Sequence, residues 1–197
     1  WCQNRFDELR YEGMFTPPSI EGTLHFPGFA GGGNWGGASF DPNSNLLIIK
    51  SLTMATVHHL IPNPSGEITL LPAPDAQAVP GAGGQDGLGD PMPGTPYRTV
   101  NENFLSPLGV PCTPPPWGTL TAVDMDSGTV QWQIPFGKVR RYGITFPGFL
   151  EWGTSIIGGP ISTAGGLVFM AASMDKKIRA LDVRTGEELW QAELPYA

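Results

Sequence analysis

Apolar residues in this chain come in short runs that turn residues interrupt. "NLLIIKSL" (45–52) and "GLVFMAAS" (166–173) are representative, and neither continues far enough for a helix. No segment repeats apolar positions at helical spacing, so the pattern predicts many short strands. Two segments align without a gap, "LTAVDMDSGTVQW" (Leu120–Trp132) and "IRALDVRTGEELW" (Ile178–Trp190). They share Ala122/Ala180, Asp124/Asp182, Gly128/Gly186 and Trp132/Trp190. Each predicts a strand, a glycine turn and a second strand ending on Trp, which is a β-hairpin. Asp and Gly fix the turn, and Trp offers a flat face for docking on a neighbouring sheet.

The repeat extends upstream. "GGASFDPNSNLLIIKS" (36–51) and "GGPISTAGGLVFMAAS" (158–173) each give Gly-Gly, a short strand, a turn and an apolar strand. Four antiparallel strands closed by a Trp-bearing hairpin make a propeller blade. The expected fold is therefore all-β, with one blade over 36–134 and a second over 158–193. The first blade carries a long loop insertion, about 52–117, between its second and third strands. Its Gly- and Pro-rich stretch, 62–96, is expected to form no core element and to lid the entrance to a central site. Two blades cannot close a ring, so the remaining blades of the same propeller are expected beyond this chain. Both ends, "WCQNRFDELR" and "LPYA", read as cut from something longer.

Composition supports this picture. Gly (27) and Pro (21) make up nearly a quarter of the 197 residues, which disfavours helices. A net charge of −7, with no basic cluster beyond "KVRR" (138–141), disfavours a nucleic-acid surface. No apolar stretch approaches the roughly 20 residues that span a bilayer. Cys2 and Cys112 match no zinc spacing, and the sequence alone leaves open whether they pair. Gly31, Gly33 and Gly36 satisfy G-x-G-x-x-G, yet "ASFDPNSN" follows where a dinucleotide site requires a helix. His58 and His59 point to opposite faces of an extended strand, which argues against a shared metal. Surface or packing roles are expected for them and for His25.

"FTPPS" (15–19), "NWGG" (34–37), "SPLGVPC" (106–112) and "GGPISTAGGLVF" (158–169), in that order, resemble membrane-bound quinoprotein dehydrogenases. These are the PQQ-dependent glucose, quinate and polyol dehydrogenases, and the resemblance is to their C-terminal part. It implies an eight-bladed periplasmic propeller, of which this chain holds two blades and flanking segments. A membrane tether is expected in a segment absent here. The implied cofactors are pyrroloquinoline quinone (PQQ) and a divalent cation, calcium or magnesium. The implied reaction oxidises a sugar, polyol or cyclic alcohol and passes electrons to membrane ubiquinone. The family's catalytic Asp and cofactor-binding Lys lie in earlier blades, so no catalytic residue is assigned in this chain.

The resemblance places cofactor contacts at Asn34 and Trp35, where an amide and an indole suit a planar polyanionic quinone. Lys50 stands where similar glucose dehydrogenases carry an Asn that contacts the quinone. A lysine there serves either a cofactor or substrate group, or solvent at a strand end. Trp152, with Arg140, Arg141 and Tyr142, is expected at the substrate funnel unless Trp152 packs against the neighbouring blade. The periplasmic setting permits a Cys2–Cys112 disulfide. A competing reading is a non-catalytic PQQ-type propeller that scaffolds outer-membrane protein assembly.

Overall fold

The computed structural model describes the chain except residues 30, 35, 64–65, 67, 69–88, 142–143, 146–150, 172 and 196–197. The side chains of residues 140–141 and 144–145 are also outside the description. One short helix, α1 (Cys2–Asp7), precedes β1 (Thr23–His25), β2 (Ala38–Asp41), β3 (Leu46–Leu52) and β4 (Thr56–Pro62). Then come β5 (Asp90–Pro91), β6 (Tyr97–Asn103), β7 (Gly118–Asp124), β8 (Val130–Pro135), β9 (Arg140–Arg141) and β10 (Ile144–Thr145). The chain closes with β11 (Ile161–Ser162), β12 (Leu167–Met170), β13 (Lys177–Asp182) and β14 (Glu188–Glu193). Two compact units result: residues 1–29 with 55–112, and residues 30–54 with 113–197.

The second unit holds the two blades. Their antiparallel strand orders are β2-β3-β7-β8 and β11-β12-β13-β14. The repeat seen in the sequence is exact in register. Ala122 pairs with Trp132 and Ala180 with Trp190, and an irregularity follows each of these alanines. The turn chemistry that the two repeats share explains why. Asp124 accepts hydrogen bonds from the backbone N–H of Asp126 and Ser127, and Asp182 from those of Arg184 and Thr185. Each carboxylate thus holds a turn that its glycine completes at positive φ, +69° at Gly128 and +73° at Gly186.

Between the blades lies one apolar core. Leu46, Ile48, Leu120 and Ala122 from the first blade meet Val168, Met170, Leu181 and Val183 from the second. Trp132 locks the pair: its indole N–H donates to the Val183 carbonyl at 3.0 Å. Its ring lies so close to Gly186 that an added Cβ would come within 2.8 Å of it. Trp190, in the equivalent place one blade later, is 51% exposed. A buried ion pair adds a polar tie. Asp175 bonds Arg179, Ser173 Oγ and the Lys138 N–H, and the Arg179 guanidinium sits 5.2 Å from the Phe136 ring centre.

The first unit departs from the expectation of a bare loop. The described ends of the insertion are strands: β4 pairs β6 along seven residues, and β1 and β5 complete a sheet ordered β1-β4-β6-β5. "TVHHLIP" and "YRTVNEN" carry enough β-branched and aromatic residues to pair once the chain doubles back. Leu9, Leu24, Ala55, Val57 and Phe104 form a separate core, with Phe6 and Cys112 packed against it. Most of the 62–96 stretch lies outside the described residues. Cys2 and Cys112 are joined by a disulfide with Cα atoms 5.5 Å apart, tying the start of the chain to the end of the insertion.

Candidate functional site

The glycine turn before β2 is held from two sides. On one side Gly32 and Leu52 exchange backbone hydrogen bonds of 2.9 and 3.1 Å, which seats the turn on the end of β3. On the other, Gly36 crosses the Ile157–Gly159 loop that leads into the second blade. A Cβ on Gly36 would stand 2.5 Å from the Ile157 carbonyl oxygen, and one on Gly159 would stand 1.8 Å from the Gly36 oxygen. No side chain fits at this crossing, so both glycines are fixed by close backbone approach. Asn34 sits at φ +47° with an exposed side chain, and its carbonyl accepts from the Gly37 N–H at 3.3 Å. Trp35 falls outside the described residues. Strand β2 follows directly, so the G-x-G-x-x-G spacing here opens no helix.

Lys50 lies behind this turn. It alternates with Leu46, Ile48 and Leu52 on the buried face of β3, and it is only 1% exposed. Its Nζ donates to the Ile156 carbonyl at 3.2 Å. Burial pushes its pKa below the usual lysine range. Of the two sequence readings, the solvated strand end is therefore removed. A Cβ on Gly36 would lie 2.9 Å from Lys50 Cε, so the lysine stem runs directly beneath the turn.

The funnel candidates divide. Trp152 is half-buried, its ring 5.4 Å from that of Trp117 in an edge-on arrangement, and its carbonyl accepts from the Trp117 N–H at 2.7 Å. It packs against the segment entering β7, the blade-packing alternative. The backbone of Arg141 pairs with Ile144, while its side chain and all of Tyr142 lie outside the description. The His25 and His58 rings lie in contact in the first unit, centroids 4.1 Å apart and planes tilted by 38°. Burial, then the neighbouring His25, lowers the His58 pKa to about 4. A cleft of about 440 Å³ beside His25 is lined by Met14, Phe15, Pro17, Phe26 and Phe29, with no charged side chain. Among the described residues no group of three or more His, Cys, Asp or Glu could hold a metal ion.

The family model for the glucose/ethanol/alcohol dehydrogenase β-propeller domain, designated PQQ, matches residues 1–197. The chain belongs to this family. Among curated relatives, the quinate/shikimate dehydrogenase (quinone) of Acinetobacter baylyi is 39% identical over 98% of this chain and 24% of its own length. The quinoprotein glucose dehydrogenase of Escherichia coli K12 is 39% identical over the same shares. The glycerol dehydrogenase large subunit of Gluconobacter oxydans is 41% identical over 99% of this chain and 27% of its length. The chain thus spans about a quarter of the length of the relatives it matches.

In this PQQ-family propeller, sequence reasoning missed three things. It did not find the Gly36–Gly159 crossing, the inward direction of Lys50, or the Arg179–Asp175 pair. The first had a signal: both blades begin with Gly-Gly at the same point of the repeat, Gly36-Gly37 and Gly158-Gly159. The second had only half of one: alternation puts Lys50 in line with Leu46, Ile48 and Leu52, but Leu47 and Ile49 make the opposite row apolar too.

Proposed function

We propose that this chain is the C-terminal part of a PQQ-dependent dehydrogenase that oxidises a sugar, polyol or cyclic alcohol. The observation that supports the reading most is the match of the PQQ propeller family over residues 1–197, on a chain whose first blade opens with the glycine turn bearing the exposed Asn34 side chain. Of the proposed contacts Asn34 and Lys50 are described: Asn34 carries an exposed amide that suits a quinone or carboxylate oxygen, and the Lys50 ammonium is buried behind the turn, while the sequence sets Trp35 next to Asn34. When bound, PQQ accepts the hydride from the alcohol carbon. This chain's part is to orient that group and to wall it from water. The general base and the ligands of a calcium or magnesium ion are assigned to blades outside this chain. Membrane ubiquinone as electron acceptor, a periplasmic location and a membrane tether belong to the same proposal.

Titration of the full-length protein with PQQ and calcium, followed by tryptophan fluorescence and dye-linked dehydrogenase activity, tests it. Saturable binding with activity on a sugar or polyol is expected, and Trp35→Ala should weaken the binding. A folded full-length protein that takes up no PQQ would sink the enzyme reading in favour of the outer-membrane scaffold.

A further inference from the structure

Apolar side chains collect around one cleft of the first unit. Met14, Phe15, Phe26 and Phe29 line it and belong to neither apolar core, and Phe15 is 93% exposed. Single exposed apolar residues are ordinary, but four around one hollow mark a binding surface. The hollow, about 440 Å³, is of small-molecule size. Its one titratable lining residue is His25, and that ring is held in place. His25 Nε2 lies 3.1 Å from the Thr16 carbonyl, which can only accept, so Nε2 carries the proton and the neutral ring keeps its lone pair on Nδ1. Thr16 is fixed in turn: its hydroxyl donates to the Gly13 carbonyl at 2.7 Å and accepts from the Glu12 N–H at 2.8 Å. His58 packs against the His25 ring, and its Nε2 meets the Thr56 hydroxyl at 3.0 Å. That hydroxyl oxygen also accepts from the Phe29 N–H at 3.4 Å, which ties one wall of the cleft to β4. Among the described residues nothing hydrogen-bonds to His25 Nδ1.

We propose that this cleft binds a small planar hydroxyaromatic molecule, a phenol or naphthol, whose O–H donates to His25 Nδ1 while its ring lies against the phenylalanines. The lining chemistry selects that class. A carboxylate or phosphate finds no cation among the lining residues, and an ether or a quinone brings only acceptors to an acceptor nitrogen. A sugar would bring several hydroxyls to walls of phenylalanine, methionine and proline, and most would be left unpaired. A flat ring suits those walls, because aromatic faces and edges pack on one another and a rigid ligand loses little freedom on binding. The inference is independent of the PQQ reading, since neither the glycine turn nor the blades take part.

The test is equilibrium dialysis of the full-length protein at neutral pH, without PQQ, against naphthol, methoxynaphthalene and naphthoate substituted at the same ring position. Saturable binding of naphthol is expected, with methoxynaphthalene and naphthoate each about fivefold or more weaker. Phe15→Ala removes an exposed wall that no core uses and should weaken naphthol about fivefold. His25→Phe keeps a ring against His58 but removes the acceptor, so naphthol and methoxynaphthalene should then bind alike. No saturable binding of naphthol, whether the cleft is closed by residues beyond this chain or simply holds nothing, overturns the proposal. Equal affinity of the wild type for naphthol and methoxynaphthalene overturns the role of His25, and naphthoate binding as tightly as naphthol overturns the uncharged site. Unchanged naphthol affinity in Phe15→Ala puts the probe elsewhere and overturns the proposal as well. Should His25→Phe fail to fold, the wild-type comparison and Phe15→Ala decide alone.

Discussion

Gly128 and Gly186 offer a matched pair of substitutions that isolates the blade-to-blade contact. Both complete the same Asp-held turn, at φ +69° and +73°, and each donates its N–H to the carbonyl of the turn's Asp, at 2.8 and 2.9 Å. Their surroundings differ. An added Cβ at Gly128 meets nothing within 4 Å, whereas at Gly186 it would lie 2.8 and 2.9 Å from Trp132 ring carbons. Alanine at either site costs about 1–2 kcal/mol for left-handed backbone. At Gly186 it must also push the indole off its seat, adding about 1–3 kcal/mol of overpacking. With a urea slope of about 2 kcal/mol/M, the Gly186→Ala midpoint should fall about 0.5–1.5 M below that of Gly128→Ala. Trp132→Phe provides a second handle. It keeps a ring but loses the bond to Val183, at a cost of about 1 kcal/mol. The measurement is urea unfolding of this chain followed by tryptophan fluorescence, with slopes compared between variants. Equal midpoints for the two alanine variants would refute the claim that the Trp132 ring on Gly186 is what joins the blades.

Replacing Cys2 or Cys112 with serine opens a disulfide spanning 110 residues, and the chain-entropy model puts its stabilisation at up to about 4–5 kcal/mol. Limited proteolysis should then cut the 1–29 and 55–112 unit while sparing the blades. His58, held neutral with a pKa of about 4, makes that unit weaker in acid. The unfolded chain binds a proton near pH 6.5 that the folded one refuses until about pH 4. Stability is thus full above pH 6.5 and falls as pH drops toward 4, by less than about 3 kcal/mol after solvent screening. His58→Phe should flatten that part of the pH–stability curve, and an unchanged slope would count against it. Burial opposes the charge on Asp175, but Arg179, Ser173 and the Lys138 N–H outweigh it and hold its pKa below the ordinary value. Its stabilisation is present above the usual carboxylate range and lost as pH falls through the lowered value. Asp175→Asn leaves half-exposed Glu188 as the remaining carboxylate beside Arg179 among the described residues and should cost about 3 kcal/mol in urea unfolding at neutral pH.

The blades were legible because local chemistry dictates them. The Asp-x-x-x-Gly turn, its strand partners and the Trp four residues after the glycine are all set within one hairpin, and a repeated hairpin announces itself. The first unit was not legible in the same way. Its sheet joins Thr23–His25 to Thr56–Pro62 and Tyr97–Asn103, segments far apart in the chain, with no repeat to reveal the pairing. Composition also misled there, since glycine and proline between 62 and 96 masked the strand character of the flanking residues.

Lys50 marks where sequence reading stops for a different reason. Period-two alternation places it in line with Leu46, Ile48 and Leu52, but alternation does not say which row faces the neighbouring blade. A lysine in the row argues for the solvent side, while three aliphatic residues argue for the core. The structure turns that row to the core, with Leu46, Ile48 and Leu52 buried and the alternating Leu47 and Ile49 only partly so. The second blade then packs over the row, and the lysine is buried with it, its amine reaching only the Ile156 carbonyl. Packing of the aliphatic residues thus determines where the charge must sit.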